Sequence, residues 1–154
     1  MEVHVRPSRA PGLVQIFNPI ARRLLRLGPL LGPNALITIR GRKTGQPRTT
    51  PVALVSLGGR QWVIGTFGDT NWVRNLRAAG EATLTVGQTQ TKVLATELDE
   101  RAGAAFFRDM LQPYVRSLRI GPLLLRLLGA RDILADPEGA ARRRHVFELQ
   151  AQPH

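Results

Sequence analysis

Residues Leu36 to Val52 read LITIRGRKTGQPRTTPV, and the fold is decided in this stretch. Leu36 to Arg40 is strand-like and rich in β-branched residues, Gly41 to Gly45 supplies turn chemistry, and Arg48 to Leu57 returns as a second strand. Working outward, the first strand opens at Ala35, and further strands are expected at Arg60 to Phe67, Ala82 to Val86, Thr89 to Leu98 and Arg144 to Leu149. Gly58-Gly59 and Gly87-Gln88 are the connecting hairpin turns. Asn71 to Gly80 reads as a short helix, and Asp99 to Leu111 as a second helix whose acidic start suits a positive helix N-terminus. Pro113 is expected to end that second helix. Short strands punctuated by glycine predict an α+β, mainly β fold, a barrel of about six mostly antiparallel strands with covering helices.

Upstream, Met1 to Gly12 carries Pro7 and Pro11 and reads as an irregular arm, while Leu13 to Leu31 reads as helix interrupted near Pro19 and at Gly28-Pro29. Residues 1–34 are thus expected to form an arm and amphipathic helix in front of a single barrel domain at 35–150. Leu24 to Gly32 (LLRLGPLLG) and Leu118 to Gly129 (LRIGPLLLRLLG) are alike, apolar with isolated arginines and a central Gly-Pro. Such helices either pack on protein or lie on a membrane with arginines at headgroup level. No stretch has the ~18 uninterrupted apolar residues of a spanning helix. The early arginines, Arg6, Arg9, Arg22, Arg23 and Arg26, break any secretory pattern, so the expected location is cytoplasmic, with peripheral contact at the inner membrane surface as the role the apolar segments would add.

The chemistry in the opening stretch is cationic. Arg42, Lys43 and Arg48 converge near one end of the hairpin. Arginine grips a phosphate or carboxylate with two parallel bonds, and lysine adds a compact charge, so the set suits a ligand bearing a phosphate and further negative groups. A solvated basic hairpin is the structural alternative. The whole chain leans the same way: among 154 residues, 22 Lys and Arg against 11 Asp and Glu give a net charge of +11. That field attracts nucleic acid, acidic lipid or a polyanionic cofactor alike.

GRKTGQPRTTPV followed downstream by GDTNWVRNLRAAG resembles the deazaflavin-dependent nitroreductase family, which includes quinone reductases, over Leu36 to Glu97. The resemblance implies a split β-barrel, FMN-binding-like in fold, that uses coenzyme F420. It assigns the cofactor's phosphate and acidic tail to Arg42, Lys43, Thr44 and Arg48. The ring falls to the strand end Ile64, Gly65, Thr66 and Phe67, and further contacts to the helix start Asn71, Trp72, Val73, Arg74 and Asn75. The implied activity is hydride transfer from reduced deazaflavin to a small hydrophobic electron acceptor such as a quinone or nitroaromatic, in a monomer or homodimer. Tyr114, the one tyrosine, is the substrate-side candidate. Ordinary structural roles compete at several of these positions: Trp72 as a core anchor, Asn75 as a loop brace, Thr66 as a plain strand residue. FMN is the alternative cofactor.

Other chemistries find little support. The absence of cysteine removes disulfides, thiolate nucleophiles and cysteine-held metals, while His4, His145 and His154 are too scattered for a metal site, so none is expected. GRKTG lacks the glycine spacing of a Walker A loop, and no GxSxG element is present. A nucleic-acid-binding module would use the positive charge and Arg142-Arg143-Arg144, but aromatic residues are only 5%, too few for stacking platforms, and nucleic acid is not expected as a partner. A non-enzymatic split barrel carrying a flavin, haem-like or lipid ligand is the remaining alternative.

Overall fold

The computed structural model describes residues 34–65, 68–117 and 132–153. The expected N-terminal arm and helix, Thr66, Phe67 and the apolar segment Leu118 to Gly129 lie outside them. Six strands form the body: β1 (Asn34–Arg40), β2 (Pro47–Leu57), β3 (Arg60–Gly65), β4 (Glu81–Val86), β5 (Thr89–Glu97) and β6 (His145–Ala151). They pair antiparallel in the order β1-β2-β3-β6-β5-β4 and close, β4 returning to β1 through Ala35↔Val86 to Thr38↔Thr83. The expected barrel of six antiparallel strands is therefore the architecture found.

Two-residue alternation builds its interior. Ala35, Ile37 and Ile39 of β1 face Val52 and Leu54 of β2, Val63 of β3, Leu84 of β4, Val93 of β5, and Phe147 and Leu149 of β6. Each fully buried Val, Leu, Ile or Phe among them contributes about 1.5–3 kcal/mol. Gly58 and Gly59 both have positive φ, 57° and 76°, which a two-residue hairpin of this hand requires and which allows β2 and β3 to pair up to Leu57↔Arg60. The long strand β2 changes partner along its length. Pro47 to Ala53 pair with β1 and Ala53 to Leu57 with β3, so around Pro51 β2 has one described neighbour. A proline is tolerated there because its missing N–H costs no ladder bond on an open side.

Helix α1 (Asn71–Ala79) plugs one mouth of the barrel. Val73 and Leu76 join the interior cluster, with Trp72 packed beside them. Gly80 ends the helix in a left-handed conformation, its N–H bonding to Leu76 O at 2.8 Å. A second cluster covers the outside of β2, β3 and β6: Val55, Trp62, Ile64 and Val146 pack against Phe106, Phe107, Leu111, Val115 and Ala140. Helix α2 (Glu100–Ala105) leads into a wide π-helical turn (Phe106–Leu111) that supplies Phe106, Phe107 and Leu111, while Val115 comes from α3 (Gln112–Ser117) and Ala140 from α5 (Pro137–Arg143), the last preceded by α4 (Asp132–Ala135).

Pro113 does not end this helix as expected; the helical path runs on to Ser117. In a regular α-helix the proline ring would press on the carbonyl four residues back. Here the preceding turn is wide, with Gln112 N–H bonding to Phe107 O, and the ring is accommodated. The helix at Pro137–Arg143 was not expected either. Its signal is in the sequence: Asp136 caps it, accepting from Gly139 N at 3.0 Å, and Pro137 sits at its first turn. Among the described residues no helix is long and apolar enough to cross a membrane.

Candidate functional site

The β1–β2 connection is a tight turn. Gly41 N–H bonds to Gln46 O and Gly45 N–H to Gly41 O, both at 2.8 Å, and Thr44 Oγ1 accepts from Gln46 N at 3.3 Å. Arg42, Lys43 and Thr44, at the tip of this turn, are exposed. Thr44 thus spends one lone pair inside the turn and keeps its hydroxyl proton for other partners.

The start of α1 lies against this turn. Asn75 Oδ1 accepts from Arg42 twice, from the backbone N at 3.2 Å and from the guanidinium NH1 at 2.8 Å, while Asn71 Oδ1 lies 3.4 Å from NH2. Between turn, strand and helix runs a groove of about 390 Å³. Gly41, Arg42, Lys43 and Thr44 form one wall, Ile39, Arg48, Thr49 and Thr50 its floor, and Asn71, Trp72 and Asn75 the other wall. Trp72 is half-buried, with its ring centroid 6.3 Å from that of Phe147, so it serves both the barrel interior and the groove.

Ion pairing separates this place from much of the described surface, although Arg40, Lys92, Arg101 and Arg116 also lack an ion pair. Arg60, Arg74, Arg77, Arg108, Arg142, Arg143 and Arg144 each meet a carboxylate within 4.0 Å. Arg42, Lys43 and Arg48 form no ion pair with any described carboxylate. No side chain caps the first turn of α1, and that turn holds no acidic residue. Its free N–H groups and the positive end of its dipole therefore add to the three cations.

A charged chain anchors the far side of α1. Arg77 bonds Glu97 through Nε at 2.6 Å and NH2 at 3.0 Å, and reaches Asp69 at 3.1 Å; Arg74 holds the other oxygen of Asp69 at 2.8 Å. His145 Nδ1 lies 2.7 Å from Glu97 Oε1 and donates to it, closing the link to β6. The Arg77 hydrogen bond holds the Glu97 carboxyl below its ordinary range, with His145 adding and burial opposing. Asp69 is likewise lowered, chiefly by the Arg74 hydrogen bond.

The structure brings Arg42, Lys43, Thr44, Arg48, Asn71, Trp72 and Asn75 together at one groove. Thr66 and Phe67 lie outside the described residues, and the other expected residues fall elsewhere. Val73 is wholly buried in the interior, Arg74 turns to Asp69, Ile64 belongs to the outer cluster, and Gly65 lies under Val73. Tyr114 is half-buried in the outer cluster and does not line the groove. Ile39, Gly41, Thr49 and Thr50 line it without having been foreseen. The two-residue alternation that puts Arg48 and Thr50 on the inward face with Val52 was the available signal. Among the described residues no three His, Asp or Glu side chains gather to hold a metal.

The described fold is thus a closed antiparallel barrel with a groove that Arg42, Lys43 and Arg48 line beside the start of α1. The model of the F420H(2)-dependent quinone reductase family matches residues 23–119, more than half of the chain, and the chain belongs to that family. It is an F420H2-dependent oxidoreductase, and its cofactor is coenzyme F420. Among solved structures, an F420-H2-dependent reductase, FDR-A, is 20% identical, with 77% of this chain and 94% of that one covered at a TM-score of 0.48. An F420 reductase is 13% identical, covering 80% and 90% at 0.46. General Stress Protein 26 from Bacillus anthracis is 6% identical, covering 79% and 82% at 0.49. The groove fits the family's cofactor on its own terms: a ligand with a phosphate and an acidic tail needs the unpaired cations and free helix N–H groups found there.

Proposed function

We propose that the groove between the 41–45 turn and α1 holds the phosphate and acidic tail of F420, and that the acceptor is a hydrophobic molecule such as a quinone or nitroaromatic. The observation that carries the reading is that Arg42, Lys43 and Arg48 share one groove with no described carboxylate to neutralise them. When bound, reduced F420 supplies a transferable hydride. The chain's part is to bind, orient and shield. Arg42 and Arg48 offer paired N–H donors to phosphate or carboxylate oxygens, Lys43 a mobile charge, and Asn71 and the first turn of α1 further donors. In this reading the strand end Ile64, Gly65, Thr66 and Phe67 borders the ring, and Trp72 covers an apolar part of the cofactor with the edge it leaves unburied. Tyr114, at the helix leading into the apolar Leu118 to Leu128 stretch, stands on the substrate side. Holding the acceptor against the ring in reacting geometry supplies much of the rate.

The test is a fluorescence titration of the protein with F420 and with FMN, beside the Arg42→Ala/Lys43→Ala/Arg48→Ala variant. Each lost charge-assisted hydrogen bond costs about 1.5–3 kcal/mol, so the triple variant is expected to bind F420 at least ~100-fold more weakly. F420 is expected to bind more tightly than FMN, whose phosphate lacks the acidic tail. Equal F420 affinity in the wild type and the triple variant would remove the groove from the reading.

A further inference from the structure

Asn75 is 7% exposed, and with Arg144 it is one of two buried polar side chains among the described residues. A buried amide is costly unless its hydrogen bonds are made. Its oxygen makes two, both from Arg42: one from the main chain of the turn and one from the guanidinium. These two donors fix which way the amide lies, because turning it over would set its NH2 group against both of them. Its nitrogen makes no hydrogen bond, yet it is not sealed from solvent. Asn75 is also part of the groove wall.

The residue type carries information. A carboxylate at this position would hold the guanidinium at least as firmly but would cancel its charge. An amide oxygen orients the same group and leaves the charge uncompensated. Asn71, one helical turn earlier on the same face, repeats the arrangement with a longer contact to NH2. The guanidinium is thus steered by neutral acceptors alone, and three of its five N–H groups remain for a ligand.

We infer that Asn75 is a positioning residue: its carbonyl oxygen sets Arg42 for an incoming phosphate or carboxylate without neutralising it, and the same two bonds turn its amide nitrogen toward the groove as an additional neutral donor. The inference rests on the reading of the groove as the F420 anion site. It also gives a reason for asparagine rather than aspartate at this buried position beside Arg42.

The test measures F420 binding by fluorescence and thermal stability by circular dichroism for Asn75→Ala, Asn75→Asp, Arg42→Ala and the Asn75→Ala/Arg42→Ala pair. Asn75→Ala is expected to weaken F420 binding about tenfold, and the double variant to bind no worse than Arg42→Ala alone, since Asn75 acts largely through Arg42. Asn75→Asp is expected to keep or raise the melting temperature while weakening F420 binding more than Asn75→Ala, an outcome that a merely structural role for Asn75 does not produce. It also covers the case in which the alanine variant fails to fold. Additive losses in the double variant, or wild-type binding by Asn75→Asp, would overturn the inference while leaving the groove as the F420 site. Unchanged binding by Arg42→Ala would overturn both.

Discussion

Gly65→Ala tests how the fold sets the site. A methyl group at Gly65 would lie 2.8 Å from Val73 Cγ2, about 0.6 Å short of ordinary contact at 3.4 Å, with His145 O at 3.3 Å and Gly68 O at 3.5 Å also close. Val73 is wholly buried and has no room to turn away, and the nearby oxygens are main-chain atoms. The strain must therefore move α1 against β3. Overpacking of this kind costs about 1–3 kcal/mol, and the rigidity of these neighbours puts the estimate in the upper half of that range. For a chain of this size each kcal/mol lowers the melting temperature by about 2–4 °C, so a fall of roughly 4–12 °C is expected by calorimetry or circular dichroism. Because α1 carries Asn71 and Asn75, the same shift loosens the hold on Arg42, and F420 binding should weaken along with stability. Removing the colliding methyl groups with Val73→Ala should make the double variant ~1–2 kcal/mol more stable than the sum of the two single losses. Strict additivity, or a Gly65→Ala protein as stable as wild type, would refute this account of why a glycine ends β3.

Phe107, wholly buried in the wide helical turn against the outer face of the barrel, should cost ~3–5 kcal/mol when replaced by alanine, read by urea denaturation. Glu97 is held below its ordinary value foremost by the Arg77 hydrogen bond. A carboxylate with a depressed folded value adds stability above its unfolded value, near 4.5, and loses it as pH falls through the folded value. Glu97→Gln should therefore lower stability at neutral pH and flatten the acid limb of a stability–pH curve; an acid limb as steep as that of the wild type would count against the Arg77–Glu97–His145 link. F420 binding, with three unpaired cations in the groove, should weaken steeply between low and physiological salt, and the Arg42→Ala variant should show a shallower dependence on a log–log plot.

Much of this architecture was legible because it is local. Alternation and glycine turns located all six strands, with ends displaced by a residue or two, because a half-buried strand writes its two faces into consecutive residues. The convergence of Arg42, Lys43 and Arg48 on one groove was legible for the same reason, since all three flank one turn. What was not legible depends on partners far along the chain. Asn75 is 33 residues from Arg42, and nothing in NWVRNLRAAG distinguishes an asparagine that braces an arginine from one that binds a ligand or braces a loop. Pro113 misled because the widened turn before it depends on how Phe106, Phe107 and Leu111 pack against Trp62 and its neighbours, which no local rule encodes. The helix at Pro137 was overlooked although Asp136-Pro137 is an ordinary helix opening.

The closing of the ring bears on the order in which the molecule can be assembled. Three of its ladders are hairpins, joined across Arg40↔Pro47, Leu57↔Arg60 and Val86↔Thr89. The β3–β6 ladder instead brings Gln61 to Leu149, across more than half the chain, and must wait for the C-terminal strand. Every residue that lines the groove has been synthesised by Asn75. Yet Trp72 rests against Phe147, and α1 finds its seat on an interior that includes Phe147 and Leu149. On the proposed reading of the groove, a nascent chain halted before His145 would hold every groove residue without the Phe147 and Leu149 packing that seats α1, and is expected not to capture the cofactor.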